Sequence, residues 1–111
     1  MLHRRTKGYL FIDGKLVGTV VVNGTNTSWY YGDFDPAPGF SDFAPTFGWW
    51  SSLMHEENEY GALGHEILDQ LRHAETAIDS LHAELYFPKL QEWHEVAQLN
   101  IDRGMIEWKE F

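Results

Sequence analysis

Short apolar runs separated by turn dipeptides pattern the first thirty residues as hairpins. Tyr9-Leu-Phe-Ile12 and Leu16-Val17 flank Asp13-Gly14, a dipeptide that accepts the positive φ angles of a type I′ turn. The spacing predicts a hairpin with Ile12 opposite Lys15 and Phe11 opposite Leu16. Thr19-Val-Val-Val22 is β-branched throughout, stiff at χ1 and suited to a pleated strand. Asn23-Gly24 offers a second turn of the same chemistry, leading into a strand over 25–31. The expectation is a three-stranded antiparallel meander over 8–31.

The pattern breaks between Gly32 and Trp50. Pro36, Pro38 and Pro45, with Gly32, Gly39 and Gly48, oppose a long regular element. Phe34, Phe40, Phe43, Phe47, Trp49 and Trp50 all fall there, and a mobile loop seldom carries so many rings. The segment is therefore expected to be ordered and laid across the sheet, with room for one short helical turn over 41–45. Ile67, Leu68, Leu71, Ala74 and Ile78 then recur at helical spacing and predict a principal helix over about 62–79. Gly61 and Gly64 predict a break between it and any helix beginning near Leu53.

Strand signals return at the end. Leu81-His-Ala-Glu-Leu-Tyr-Phe87 alternates, placing Leu81, Ala83, Leu85 and Phe87 on one face until Pro88 stops the strand. Segments 95–101 and 105–111 flank Asp102-Arg-Gly104, read as a three-residue hairpin loop, with Ala97, Leu99 and Ile101 on one face. The predicted class is α+β: a mostly antiparallel sheet, built from the N-terminal meander and the C-terminal strands, packed against one principal helix.

Composition narrows the function classes. The 111 residues suit a single α+β domain over 8–111, preceded by a flexible basic N-terminus over 1–7. There is no Cys, which excludes disulfides, cysteine-ligated metal and thiol catalysis. Eight basic residues face 17 acidic ones, a net charge of −9. Arg4, Arg5 and Lys7 account for three of the eight, so positions 8–111 hold five basic and 17 acidic groups, or −12. A body this acidic repels phosphate, so neither nucleic acid nor an anionic membrane is an expected partner. It would instead steer basic partners toward itself. No apolar run approaches the length of a membrane span, and Gly8–Ile12 is too short for a signal-peptide core, so a cytoplasmic location is expected. The sequons at Asn23 and Asn26 are then empty.

Chemistry is sparse. His65, Asp69 and His73 stand at i, i+4 and i+8, a spacing that aligns potential zinc or nickel ligands on one helix face. That face lies opposite the apolar stripe and reads as solvated, so no metal or cofactor is expected. Asp33-Phe-Asp35 begins like a calcium loop, but Ala37 and Pro38 stand where a third ligand and a glycine are needed. His55-Glu-Glu-Asn-Glu59 reads as an exposed charged helix end or loop. No phosphate-cradling loop, nucleophile elbow or dinucleotide fingerprint is present, and an enzyme is not expected.

Aromatic residues, 15% of the chain with five Trp, exceed background. Trp29, Tyr30 and Tyr31 are consecutive, so both faces of that strand carry rings. Rings beside carboxylates are the composition of a protein interface. The expected function is therefore a non-catalytic acidic protein that binds another, basic protein, as an immunity protein or an inhibitor does. Asp33, Asp35 and Asp42 would steer, and Phe40, Phe43, Trp49 and Trp50 would anchor. The alternatives are a small-ligand module with an aromatic pocket and a metal-binding protein. Oligomeric state is not set by these patterns.

The segment Ile12-Asp-Gly-Lys-Leu-Val-Gly18, followed by Trp29-Tyr-Tyr-Gly-Asp-Phe-Asp-Pro36, resembles small bacterial proteins with an N-terminal hairpin and a Gly-x-Phe-x-Pro segment. In these a helix and terminal strands follow. The resemblance implies a bacterial source and this layout, and it carries no assigned activity or site.

Overall fold

The computed structural model describes the backbone of residues 2–60 and 65–111, and the side chains of 2–55 and 66–111. Strands β1 (Lys7–Ile12), β2 (Lys15–Asn26) and β3 (Trp29–Pro36) come first. A 3₁₀ helix (Pro38–Asp42) leads into helices α1 (Ala44–Tyr60) and α2 (His65–Asp79). Strands β4 (Ala83–Phe87), β5 (Glu92–Asp102) and β6 (Met105–Glu110) complete the chain. The fold is α+β with antiparallel strands, as the patterning predicts. Two features correct the expectation: among the described residues there are two long helices rather than one principal helix, and the sheet does not stay open. It closes into a six-stranded barrel in the order β1-β2-β3-β6-β5-β4. Strand β4 pairs back to β1, from Tyr9↔Tyr86 to Ile12↔Ala83, and β3 pairs with β6. Closure satisfies the backbone groups that two open edges would leave unpaired.

The turns explain how register is set. Asp13 and Gly14 have φ of 50° and 80°, and the first hairpin pairs Ile12 with Lys15 and Phe11 with Leu16, as expected. Asn23-Gly24 is not a turn. Strand β2 continues to Asn26, and Asn23 is the extra residue of a bulge between the pairs Val22↔Gly32 and Gly24↔Tyr31. The chain reverses instead after Asn26, where Thr27 has φ 57°. The last hairpin is tighter than predicted, because Asp102 pairs with Met105 and only Arg103 and Gly104 form the turn.

One apolar core runs through barrel and helices. Leu10, Ile12, Val20, Val22, Leu85, Phe87, Ile106 and Trp108 are fully buried, and Ala83 lies with them as the alternation over 81–87 predicts. A bulge at Ala97 shifts the inner face of β5 to Val96, Leu99 and Ile101. Gly18 faces Phe34 so closely that a Cβ would lie 2.4 Å from its ring. From α2 come Leu71, Ala74 and Ile78, with Ile67 half-buried and Leu68 exposed. From α1 come Phe47, Trp50 and Leu53, three residues apart and therefore on one helix face. This helix begins well inside the segment expected to be irregular, because Pro45 sits in its first turn, where a missing N–H costs nothing. The predicted break at Gly61 and Gly64 lies outside the described residues.

Candidate functional site

Closing the barrel divides every strand residue into inside and outside, and the outside is where the uncommitted rings collect. On β1, Tyr9 and Phe11 alternate with buried Leu10 and Ile12; on β4, Glu84 and Tyr86 alternate with Ala83, Leu85 and Phe87. Trp93 and Glu95 are the exposed residues facing them on β5. The register stacks these into two rows: Tyr9, Tyr86 and Trp93 in one, and Phe11, Glu84 and Glu95 in the other. The Trp93 indole lies 4.9 Å from the Tyr86 ring and 5.3 Å from Phe11, centroid to centroid. From β5 it thus touches a ring on β4 and reaches across to one on β1, yet is 57% exposed. Glu84 holds the imidazole Nε2 of His82 at 2.8 Å. Lys7 stands exposed at the head of the β1 row, so the acidic part of this wall is the end carrying Glu84 and Glu95.

The residues proposed from sequence occupy three different settings. Asp33 and Asp35 are exposed on β3, outside the barrel opposite Val21 and Thr19. Asp42 closes the 3₁₀ helix and pairs with the Lys15 ammonium. Phe40 is half-buried between Phe34, at 5.1 Å, and Phe47, at 6.0 Å. Phe43 is also half-buried, and its carbonyl accepts the first α1 bonds from Thr46 and Phe47. Trp50 is only 8% exposed and belongs to the core, whereas Trp49 is 40% exposed. Their sequence proximity therefore does not make one patch. The phase of α1 sends Trp50 inward and Trp49 outward.

Besides His82, histidines sit in two polar clusters among the described residues. Ser51 Oγ donates to Asp102 Oδ1 at 2.6 Å, and His55 Nε2 lies 3.1 Å from Asp102 Oδ2. Both side chains address the same carboxylate, Ser51 through Oδ1 and His55 through Oδ2. The cluster ties α1 to the last residue of β5. At the opposite end of the barrel, His94 Nδ1 is 2.9 Å from Glu110, while its Nε2 faces Glu92 at 3.4 Å. The two nitrogens address different carboxylates and do not converge on a point. Among the described residues no group of three or more His, Asp or Glu could hold a metal ion. Asp69 and His73 are exposed on α2; the side chains of His65 and of 56–59 lie outside the described residues.

No protein-family model matches this chain, and neither a curated protein nor a solved structure matches it. Among the described residues no helix is long and apolar enough to cross a membrane.

The β1–β4–β5 wall was legible only in the residues that alternation sets aside. Reading inward positions selects Leu85 and Phe87. The out-of-phase Tyr9, Phe11 and Tyr86 are then a second apolar set, which a single core cannot also bury.

Proposed function

We propose that this protein is a non-catalytic docking protein that binds a basic partner protein through the β1–β4–β5 wall, as an inhibitor or immunity protein would. The observation that carries this reading is Trp93: a large ring in contact with two others, outside the core and more than half exposed. Burying such a ring on association removes apolar area from water without unfolding anything, and Trp and Tyr dominate binding hot spots. Glu84 and Glu95 frame it and would meet Arg or Lys of the partner, whose guanidinium or ammonium can also stack on the indole face. The acidic body, with Asp33 and Asp35 exposed on β3, accelerates encounter over distances set by ionic strength. Of the rings first considered as anchors, Trp49 is the one that stays exposed, because Phe40, Phe43 and Trp50 are committed to packing.

The test is a pull-down with the immobilised protein from cells that produce it, at low and at moderate salt. A specific basic partner should be retained at low salt, weakened by salt and lost with Trp93→Ala or Glu95→Lys. A partner held equally by both variants, or no partner under either condition, would refute the proposal.

A further inference from the structure

A second outer surface, independent of the docking wall, has a different chemistry. The bulge at Asn23 lets the β2–β3 hairpin extend to Thr27, and beside it lies a groove of about 480 Å³, within the size range of small-ligand sites. Its apolar side is made by Trp29, Tyr31 and Met105, and its polar side by Thr25, Asn26 and Glu107. Trp29 and Tyr31 are two residues apart on one strand, so both project outward about 7 Å apart. The Tyr31 ring lies against Gly24, where a Cβ would come within 2.8 Å of its hydroxyl oxygen and 3.1 Å of the ring. Glycine there lets the ring lie over the strand, and Tyr31 is nonetheless 39% exposed. Covering Gly24 accounts for Tyr31 alone. It leaves Met105, 62% exposed, and Trp29 lining the same groove.

The geometry points to a binding site for a neutral saccharide in this groove. A sugar ring offers an apolar C–H face to aromatic rings and hydroxyls that both donate and accept. The Asn26 amide supplies donors and an acceptor, and the Glu107 carboxylate accepts; the Thr25 hydroxyl, donating to the Trp29 carbonyl at 2.9 Å, can still accept. Glu107 already takes a long bond from Asn100, at 3.4 Å, and a sugar hydroxyl would be a closer donor. The charge selects against other ring-bearing ligands. Glu107, with Asp33 next along β3, repels carboxylates, sulfates and phosphates, which disfavours acidic sugars and nucleotides. Lys109 is the cation beside the groove, and its ammonium sits 4.9 Å from the Trp29 ring centroid rather than in the groove lining.

Titration of the isotope-labelled protein with maltohexaose, cellohexaose and chitohexaose, followed by NMR, tests this. At least one oligosaccharide should produce saturable shifts at the Trp29 indole. Tyr31→Ala and Asn26→Ala should each weaken binding, the former by about tenfold or more, while Tyr31→Phe retains it and Trp93→Ala leaves it unchanged. Asn26 is exposed at the hairpin end, so its variant tests the site without touching the core. No saturable response up to about 10 mM, beyond the weak end of specific affinities, would overturn the inference. So would binding unaffected by Tyr31→Ala and Asn26→Ala, or saturation by adenosine but by none of the sugars. A failed partner pull-down leaves these outcomes untouched, because the two surfaces share no residue.

Discussion

Trp93 and Trp108 are the same residue type with opposite duties, and alternation decides which is which. Trp108 is fully buried, stacked with Tyr30 at 5.6 Å, and paired in register with Leu99 inside the barrel. Trp108→Ala removes a core ring and should cost about 3–5 kcal/mol. Trp93→Ala removes the ring contacts to Phe11 and Tyr86, about 1 kcal/mol, so binding can be tested without unfolding. Urea denaturation midpoints check both: comparable losses from the two substitutions would mean that Trp93 is structural. At this scale the first hairpin was readable because a two-residue turn leaves one register. Asn23-Gly24 misled because the same dipeptide serves a bulge, and what requires Gly24 is the Tyr31 ring beside it rather than a positive φ. Trp49 and Trp50 could not be told apart without the phase of α1.

At the scale of elements, α2 was legible because Leu71, Ala74 and Ile78 form one stripe. Helix α1 was not, since Pro45 and Gly48 look like breakers until Pro45 is placed in the first turn. The polar cluster at Asp102 then gives α1 a specific anchor on the barrel, through Ser51 and His55. Asp102→Ala removes the acceptor for both and should cost about 1 kcal/mol, the usual net worth of such bonds when partly exposed. The loss should be local. Hydrogen exchange is expected to speed up in α1 while β1 and β4, held by barrel pairing, keep their protection. Uniform acceleration across the strands would show instead that Asp102 supports the barrel itself.

For the molecule as a whole, the first hairpin was written in the chain, the second and the last were legible only with their turns misplaced, and the closure was not legible. The pairing of β1 with β4 joins Tyr9 to Tyr86, and that of β3 with β6 joins Tyr30 to Trp108. Such long-range contacts leave no local turn signature, so patterning alone yields an open sheet. Closure is also what creates the candidate site: only when β1, β4 and β5 lie side by side do Phe11, Tyr86 and Trp93 meet, framed by Glu84 and Glu95. The sequence sets rings beside carboxylates over 33–50; in the folded chain Phe40, Phe43 and Trp50 pack into or against the core, and the ring contacts of Trp93 depend on strands far apart in sequence. The most direct measurement is photo-crosslinking in the producing cells, with a photoreactive amino acid replacing Trp93 in one sample and Trp49 in another. A discrete adduct to a basic protein is expected from the first position, diminished by Glu95→Lys. An adduct from the Trp49 position alone, an adduct to a second copy of this chain, or none from either position would rule out docking of a basic partner through the β1–β4–β5 wall.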